Sequence, residues 1–460
     1  MKKDYMIIVA VLVLALLMQA CSNSYPGLYY DDGGNNNTEY QEELPIKVSL
    51  DEHDLFSIAA TRGTGAFDHD DERLGTSYYR NKMTNSLFNI FAFRASKDQH
   101  GPLTKEVDFS RSLANDESRE HCLVDSRNYF MGKPARPTDD GTGELNFIDD
   151  ETYTQQEELY DSNQYSDVGY NFFGYYLDDF VPTAENTHRE TDRIYYDVSI
   201  DGAQDMLVGH APVLTPSVIE ERYTSLELTA AECNELAGVG GYSTLAARHD
   251  LHPIIDLQHV LTRLRFEAVP GDATADRIRL HQLSVVGKNS GKLVVACNDF
   301  TQLGFYPGEE TGTFMLREAS KDGVTPGRLM NENEDGYIVE FEPDMENIPV
   351  MERKTTPFCE SLMLVPDTEY QMILEYDHMR RQVDSEGNES YILETRLKGT
   401  YDLKAPEETV NYDKATGRYI FKPGYVYTIR IVVYGAQEIE VVTNINAWKF
   451  ADQLTIETVE

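Results

Sequence analysis

Short segments that alternate apolar and polar residues, or that are densely β-branched and aromatic, recur along almost the whole chain. Gly, Pro, Asn and Asp cluster between them, as they do at turns. Many short strands separated by turn signals are typical of sandwiches and barrels. The 460 residues exceed one ordinary domain and suit two. The sequence therefore predicts a mainly all-β fold, with strands over residues 87–93, 172–176, 194–198, 264–269, 280–286 and 372–376.

The strongest strand pattern lies near the C-terminus. From Tyr425 to Val433 every second residue is aromatic or β-branched, so these side chains share one face of a strand. Residues 435–437 can turn the chain, and Ile439 and Val441 then share a face of a returning strand. This pattern predicts a β-hairpin.

Helical patterns are sparse. Residues 226–237 and 255–264 are candidate helices, and in the first of them Thr229 and Glu232 have the spacing of a capping box. The stretch 133–158 is rich in Pro, Gly, Asp, Thr and Glu, which predicts a long surface loop.

The N-terminus has the pattern of an export signal. A short basic start precedes an apolar run over residues 6–20, in which only Gln19 is polar. The run is short for a membrane-spanning helix, which needs about 20 apolar residues, and has the length of a signal peptide core. A small residue directly before Cys21 resembles the lipobox of bacterial lipoproteins, although Met18 stands where Leu is usual. The resemblance implies acylation of Cys21, and the alternative is an ordinary secretory signal that ends beside a cysteine.

Composition divides the rest of the chain. Residues 1–20 form the predicted lipoprotein signal peptide, and residues 21–44 are polar and acidic, so they predict a flexible tether. Glycines at 238–241 suit a linker between two domains. We therefore predict an N-terminal domain over residues 45–240 and a C-terminal domain over residues 241–460.

The chain is strongly acidic, with 79 Asp and Glu against 40 Lys and Arg and a net charge of −39. Such a surface repels phosphate backbones and anionic lipids, so nucleic acid is not an expected partner and any membrane attachment has to come from something other than basic patches. The acidity is interpreted as a solvated surface, with cation binding as the alternative.

No catalytic or metal-binding pattern is present in the sequence. His249 and His252 beside Asp250 lack the spacing of a known metal site, as does the acidic stretch 68–72. His259 lies among apolar residues and is interpreted as a core or edge histidine. Nucleophile-elbow, zinc-helix, phosphate-loop and dinucleotide motifs are absent. We therefore predict no enzyme activity, no catalytic residue, no metal and no cofactor.

Four cysteines remain if Cys21 is acylated. They are Cys122, Cys233, Cys297 and Cys359. None belongs to a C-x-x-C pair, which makes a zinc site improbable. Their spacing leaves one or two disulfides and free thiols equally open.

Six segments, taken in order, carry a family resemblance: residues 90–94, 171–176, 205–209, 257–264, 362–366 and 425–448. Together they resemble the fimbrillin family of type V pilins and their accessory subunits. Gly174 and Leu257 depart from the family pattern, which has alanine and an aromatic residue there. The resemblance implies two tandem transthyretin-like β-sandwich domains with few short helices, exported as an outer-membrane lipoprotein that carries palmitate at Cys21 and assembles with other fimbrial subunits on the cell surface.

The first strand of such a subunit is a candidate for exchange. An Arg62-Gly63 bond follows it in a glycine-rich stretch, which is a natural protease site. The resemblance implies that cleavage after Arg62 releases the strand and that a strand of a neighbouring subunit fills the vacated groove. The alternative is that Arg62 is an ordinary linker residue. The apolar residues of the exchanged strand are Ile46, Val48, Leu50, Phe56 and Ile58.

The expected donor strand is the C-terminal end, where Trp448, Phe450, Leu454 and Ile456 have the same parity. A second candidate function is a surface glycan-binding lipoprotein that uses tyrosines between residues 153 and 170, and a third, ranked well behind, is a secreted hydrolase. A receptor on host or bacterial cells is a further expected partner of the fimbrial subunit. The residues do not decide among stalk, anchor and tip roles.

Overall fold

Strands dominate the chain, as the alternating pattern predicts. The computed structural model describes residues 44–51, 86–95, 107–115, 121–128, 130–138, 143–149, 151–160, 168–178, 180–271, 277–319, 327–341, 353, 356–434 and 438–447. Before residue 211 the strands are β1 (Ser49–Leu50), β2 (Phe88–Arg94), β3 (Cys122–Val124), β4 (Lys133–Pro137), β5 (Leu145–Phe147), β6 (Tyr170–Leu177), β7 (Thr187–Arg189), β8 (Arg193–Ser199) and β9 (Met206–His210).

Three short α-helices follow within the described ranges. They are α1 (Pro216–Arg222), α2 (Ala230–Gly238) and α3 (Thr244–Arg248). The chain then returns to strands: β10 (Ile254–His259), β11 (Thr262–Pro270), β12 (Arg277–Lys288), β13 (Ser290–Cys297), β14 (Gly304–Pro307), β15 (Thr311–Met315), β16 (Tyr337–Glu340), β17 (Thr356–Pro357), β18 (Leu362–Leu364), β19 (Glu369–Val383), β20 (Glu389–Lys404), β21 (Tyr412–Asp413), β22 (Arg418–Tyr419), β23 (Tyr425–Tyr434) and β24 (Glu438–Ala447). The all-β fold class is confirmed.

The first sheet has eight strands, in the order β1-β10-β9-β6-β2-β4-β5, with β3 beside β2. Both of its faces are covered. In β2, Phe88 and Ile90 contribute to one apolar core and Phe91 and Phe93 to the other. Strands that are buried on both faces have near-continuous apolar sequences. This burial explains why residues 88–93 and 172–176 lack a strict alternation.

Three further sheets and a two-stranded ribbon, formed by β21 and β22, complete the described part of the fold. Two sheets have five strands, ordered β17-β11-β23-β24 with β18 beside β11, and β15-β12-β19-β20 with β16 beside β12. The third has four strands, ordered β14-β13-β8-β7. Strands on either side of residue 240 therefore pair, since β8 pairs with β13 and β9 with β10. The division into domains at residue 240 stays a prediction.

Several local predictions are confirmed. Strands β23 and β24 form the antiparallel hairpin predicted near the C-terminus, and alternate β23 side chains from Tyr427 to Val433 are fully buried. Helix α2 has the predicted capping box, in which the Thr229 hydroxyl accepts from the Glu232 amide and the Glu232 carboxylate accepts from the Thr229 amide. This reciprocal pair satisfies two backbone donors at the helix start.

Two local predictions are wrong. The candidate helix over residues 255–264 consists of most of β10, a two-residue connection and the start of β11, because the inward side chains of β10 alternate strictly. The predicted loop over residues 133–158 contains β4 and β5. Strand β4 includes Pro134 and Pro137, residues that favour loops and lack the backbone N–H of a strand ladder.

The four cysteines after Cys21 lie within the described residues and form no disulfide, and three of them are buried. Burial raises the pKa of the Cys297 thiol to about 12, so this side chain is unreactive near neutral pH. Within the ranges that the structure describes, no helix has both the length and the apolar character needed to cross a membrane.

Candidate strand-exchange site

The front segment, residues 44–51, lies between two other parts of the chain and is hydrogen-bonded to both. On one side the amides of Ser49 and Asp51 donate to the carbonyls of Pro253 and Ile255, at 2.9 and 3.1 Å. Here β1 runs parallel to β10, with Leu50 in register with Ile255.

The other side of the front segment is antiparallel to its neighbours. The Leu50 amide donates to the Gly143 carbonyl at 2.9 Å, and the Leu145 amide donates to the Val48 carbonyl at 2.8 Å. Further back, the Ile46 amide donates to the Glu158 carbonyl at 2.7 Å. The front segment therefore connects β10, near one end of the sheet order, to the residues at the start of β5, at the other end. The sheet closes through this segment.

Burial of apolar side chains explains the position of the front segment. Ile46, Val48 and Leu50 are at most 5% exposed and belong to the same apolar core as Ile255. Lys47, between them, is half exposed and lies 3.8 Å from the Asp250 carboxylate. The predicted alternation is confirmed for these three apolar residues. Burying three such side chains stabilises the segment by roughly 5–9 kcal/mol before entropy losses.

A buried ion pair lies beside the front segment, at Glu158, whose backbone carbonyl accepts a hydrogen bond from Ile46. The Lys133 ammonium lies 3.1 Å from the Glu158 carboxylate, and both side chains are less than 10% exposed. Lys133 also donates to the side-chain carbonyl of Gln156 at 2.8 Å. Since the Glu158 backbone carbonyl accepts from Ile46, this pair fixes one wall of the groove. Sequence reasoning missed both residues because it assigned 133–158 to a surface loop.

A second ion pair lies at the other wall. Arg222, at the end of α1, donates two hydrogen bonds to the Asp256 carboxylate on β10, at 2.7 and 2.5 Å. These hydrogen bonds raise the pKa of Arg222, and the nearby Asp51 carboxylate contributes in the same direction. The bidentate geometry orients α1 against the strand that pairs with the front segment.

Glycines allow the strands of this wall to approach closely. A Cβ on Gly209 would lie 1.9 Å from the Asp256 carbonyl oxygen, so β9 and β10 can pair only with glycine there. A Cβ on Gly174 would lie 3.1 Å from the Ile255 side chain. The departure from alanine at Gly174 therefore leaves room for the residue that pairs with Leu50.

The remaining residues of the predicted exchange machinery lie outside the described ranges. They are Cys21, Phe56, Ile58, Arg62, Gly63, Trp448, Phe450, Leu454 and Ile456. Their proposed roles stay predictions.

Other candidate residues have structural roles. His259 is 9% exposed, and its Nδ1 lies 3.0 Å from the buried Asp205 carboxylate, as expected for a core histidine. Within the described ranges, no group of three His, Cys, Asp or Glu residues could hold a metal ion. The tyrosine platform predicted between residues 153 and 170 is wrong for Tyr160 and Tyr170, which are buried because both belong to the core beneath the front segment, whereas Tyr153 is 63% exposed.

No protein-family model matches the chain, and no curated protein matches it. Among solved structures, it is similar to a fimbrial protein from Bacteroides vulgatus ATCC 8482, with 12% identity and a TM-score of 0.42 over 88% of this chain and 99% of that one. A candidate cell adhesion protein from Bacteroides uniformis ATCC 8492 has 9% identity and a TM-score of 0.38, over 89% and 99%. The tip fimbrial protein Mfa3 from Porphyromonas gingivalis, with a C-terminal truncation, has 9% identity and a TM-score of 0.31, over 88% and 99%.

Proposed function

We propose that this protein is a structural and adhesive subunit of a cell-surface fimbria, assembled by exchange of its front segment after export as an outer-membrane lipoprotein. The observation that supports exchange most directly is the position of residues 44–51. They are hydrogen-bonded on both sides, and their three apolar side chains are buried in the same core as Ile255.

Cleavage after Arg62 would convert the front segment from a covalent part of the subunit into a bound peptide. A strand from a neighbouring subunit can then replace it, because the incoming backbone restores the same hydrogen bonds and its apolar side chains fill the same sites. The proposed donor is the segment with Trp448, Phe450, Leu454 and Ile456. Burial of several such side chains gives a slow dissociation rate, which a fibre requires.

The experiment is to sequence the N-terminus of the protein on intact cells and to image the surface by electron microscopy. A polymerising subunit is expected to begin at Gly63 and to form fibres. The Arg62→Ala variant should remain attached through acylated Cys21 and should form none. Arg73→Ala, which removes a neighbouring arginine, is the matched control and should polymerise as the parent does. Equal polymerisation of the Arg62→Ala variant would contradict exchange at this site.

Lipid anchoring has its own test. In cells grown with labelled palmitate, the label is expected in the parent protein and not in the Cys21→Ala variant. If acylated Cys21 is the mature N-terminus of all surface material, the subunit keeps its first strand, and the role becomes that of a non-polymerising anchor or tip.

A further inference from the structure

A cleft on the outer face of the four-stranded sheet lies apart from the front segment. Strands β8 and β13 direct Tyr196 and Leu293 into the main core, so the alternate residues point to the opposite face. On that face Tyr195, Val294 and Cys297 form a separate apolar cluster. The floor of the cleft is therefore an apolar cluster on the face opposite the main core, with Leu303 packed against both.

The walls of the cleft combine aromatic and charged groups. Its volume is about 240 Å³, and it is lined by Glu190, Arg193, Tyr195, Lys292, Val294 and Tyr306. Val294 pairs with Gly304 across the strands, and a Cβ on Gly304 would meet nothing within 4 Å. The strand beside the floor thus has no side chain at this point, which keeps the cleft open.

Most of the charged groups of the cleft already have partners. Arg193 lies 2.6 Å from the Asp192 carboxylate, and the Lys292 ammonium lies 4.6 Å from the centre of the Tyr195 ring. Glu190 accepts a long hydrogen bond of 3.4 Å from the Tyr195 hydroxyl. The lining has one acidic residue, Glu190, which lies 4.0 Å from Arg193, and two basic residues. With Asp192, the other partner of Arg193, the charges at the cleft balance in a chain with a net charge of −39.

Tyr306 provides the open aromatic surface. It is 44% exposed, and its hydroxyl donates to the Gln302 carbonyl at 3.0 Å, which fixes the ring. Among the described residues no other aromatic ring stacks on it, whereas His188 stacks on Tyr195 with ring centres 4.6 Å apart. An oriented, uncovered ring beside a carboxylate and an ammonium is suited to a ligand with one apolar face and several hydroxyl groups.

We propose that this cleft binds a single neutral hexopyranose unit of a glycan. The C–H face of the sugar would stack on Tyr306, and its hydroxyl groups would donate to Glu190 and accept from Lys292. An anionic ligand is disfavoured by the Glu190 carboxylate and by the net charge of the chain, and a cationic ligand by Arg193 and Lys292. The volume is below the roughly 300–1,000 Å³ of pockets for drug-sized molecules, which fits one ring.

Ligand-observed saturation-transfer NMR on the full chain tests the proposal. The probes are the methyl glycosides of glucose, galactose, mannose and N-acetylglucosamine at millimolar concentration, and sialic acid as the anionic comparison. We expect transfer to at least one neutral glycoside, strongest at its C–H face. Tyr306→Ala and Glu190→Gln should each reduce that transfer at least fivefold.

Tyr412→Ala is the matched control, because Tyr412 is 42% exposed and lies on the separate β21–β22 hairpin. It should leave the transfer unchanged, and thermal melting should show all three variants folded. The proposal is overturned if no neutral glycoside receives saturation, if only sialic acid does, or if Tyr306→Ala and Tyr412→Ala behave alike. The Tyr306→Ala variant should still form fibres, so a loss of glycoside binding can be told apart from a failure of strand exchange.

Discussion

The Leu50→Ala substitution should weaken the binding of the front segment, and the burial of Leu50 gives the expected loss of free energy. The Leu50 side chain is 1% exposed and pairs with Ile255 in the core. Removing it loses the transfer free energy of the deleted carbons and leaves a cavity, at a cost of about 3 kcal/mol within the usual range for buried leucine. Because about 1.4 kcal/mol corresponds to a tenfold change, a nicked subunit should release the segment roughly 100-fold faster.

The assay uses a variant in which residues 61–64 carry a site-specific protease sequence, so that nicking is confined to one place. Release of the N-terminal peptide after nicking is followed by size-exclusion chromatography and mass spectrometry. Lys47→Ala is the matched control, since that side chain is half exposed and its ion pair at 3.8 Å contributes at most about 1 kcal/mol. Equal release rates for Leu50→Ala and Lys47→Ala would refute the assignment of the holding free energy to buried apolar contacts.

Three further variants test other parts of the structure. Lys133→Met should lower the free energy of unfolding by about 3–5 kcal/mol, because it leaves the Glu158 carboxylate buried and unpaired, and adding Glu158→Leu should restore much of it in urea titrations. Gly209→Ala should lower the melting temperature markedly, since its Cβ would overlap a carbonyl oxygen of the adjacent strand, whereas Gly287→Ala, whose Cβ would sit at 3.4 Å from its nearest neighbour, should melt close to the parent. Burial alone would raise the pKa of Asp377, but hydrogen bonds from Arg396 and His281 lower that pKa below its usual value. The ionised Asp377 carboxylate therefore stabilises the fold fully above the ordinary Asp pKa, and this stabilisation is lost as the pH falls through the lowered pKa. The stability difference between the parent and Asp377→Asn should therefore shrink on acidification below about pH 4, and a pH-independent difference would contradict this.

Local sequence patterns predicted the elements that have a strong short-range signal. In β23 every second residue from Tyr427 to Val433 is a buried aromatic or β-branched residue, so the period of two is visible in the residues themselves. The capping box of α2 depends on contacts between Thr229 and Glu232, which are three positions apart, and needs no tertiary information.

Long-range pairing explains what the sequence could not predict. Residues 255–264 contain apolar spacings that fit a helix as well as two strands, and only the pairing of β10 with β9 and β1 decides between them. The prolines of β4 favour the prediction of a loop, yet β2 and β5 pair with this strand on either side. The wall formed by Lys133 and Glu158 was missed for the same reason. The cleft residues come from separate strands, and no local motif connects them.

The two rims of the groove around the front segment run in opposite directions, since β1 is parallel to β10 and antiparallel to the residues near Gly143. Any strand that enters the vacated groove therefore meets one parallel and one antiparallel rim, whichever way round it is inserted. Backbone pairing cannot dictate the polarity of the guest strand. Under the proposed exchange, that choice falls to the cavities vacated by Ile46, Val48 and Leu50, so side-chain shape would set the direction in which successive subunits point along a fibre.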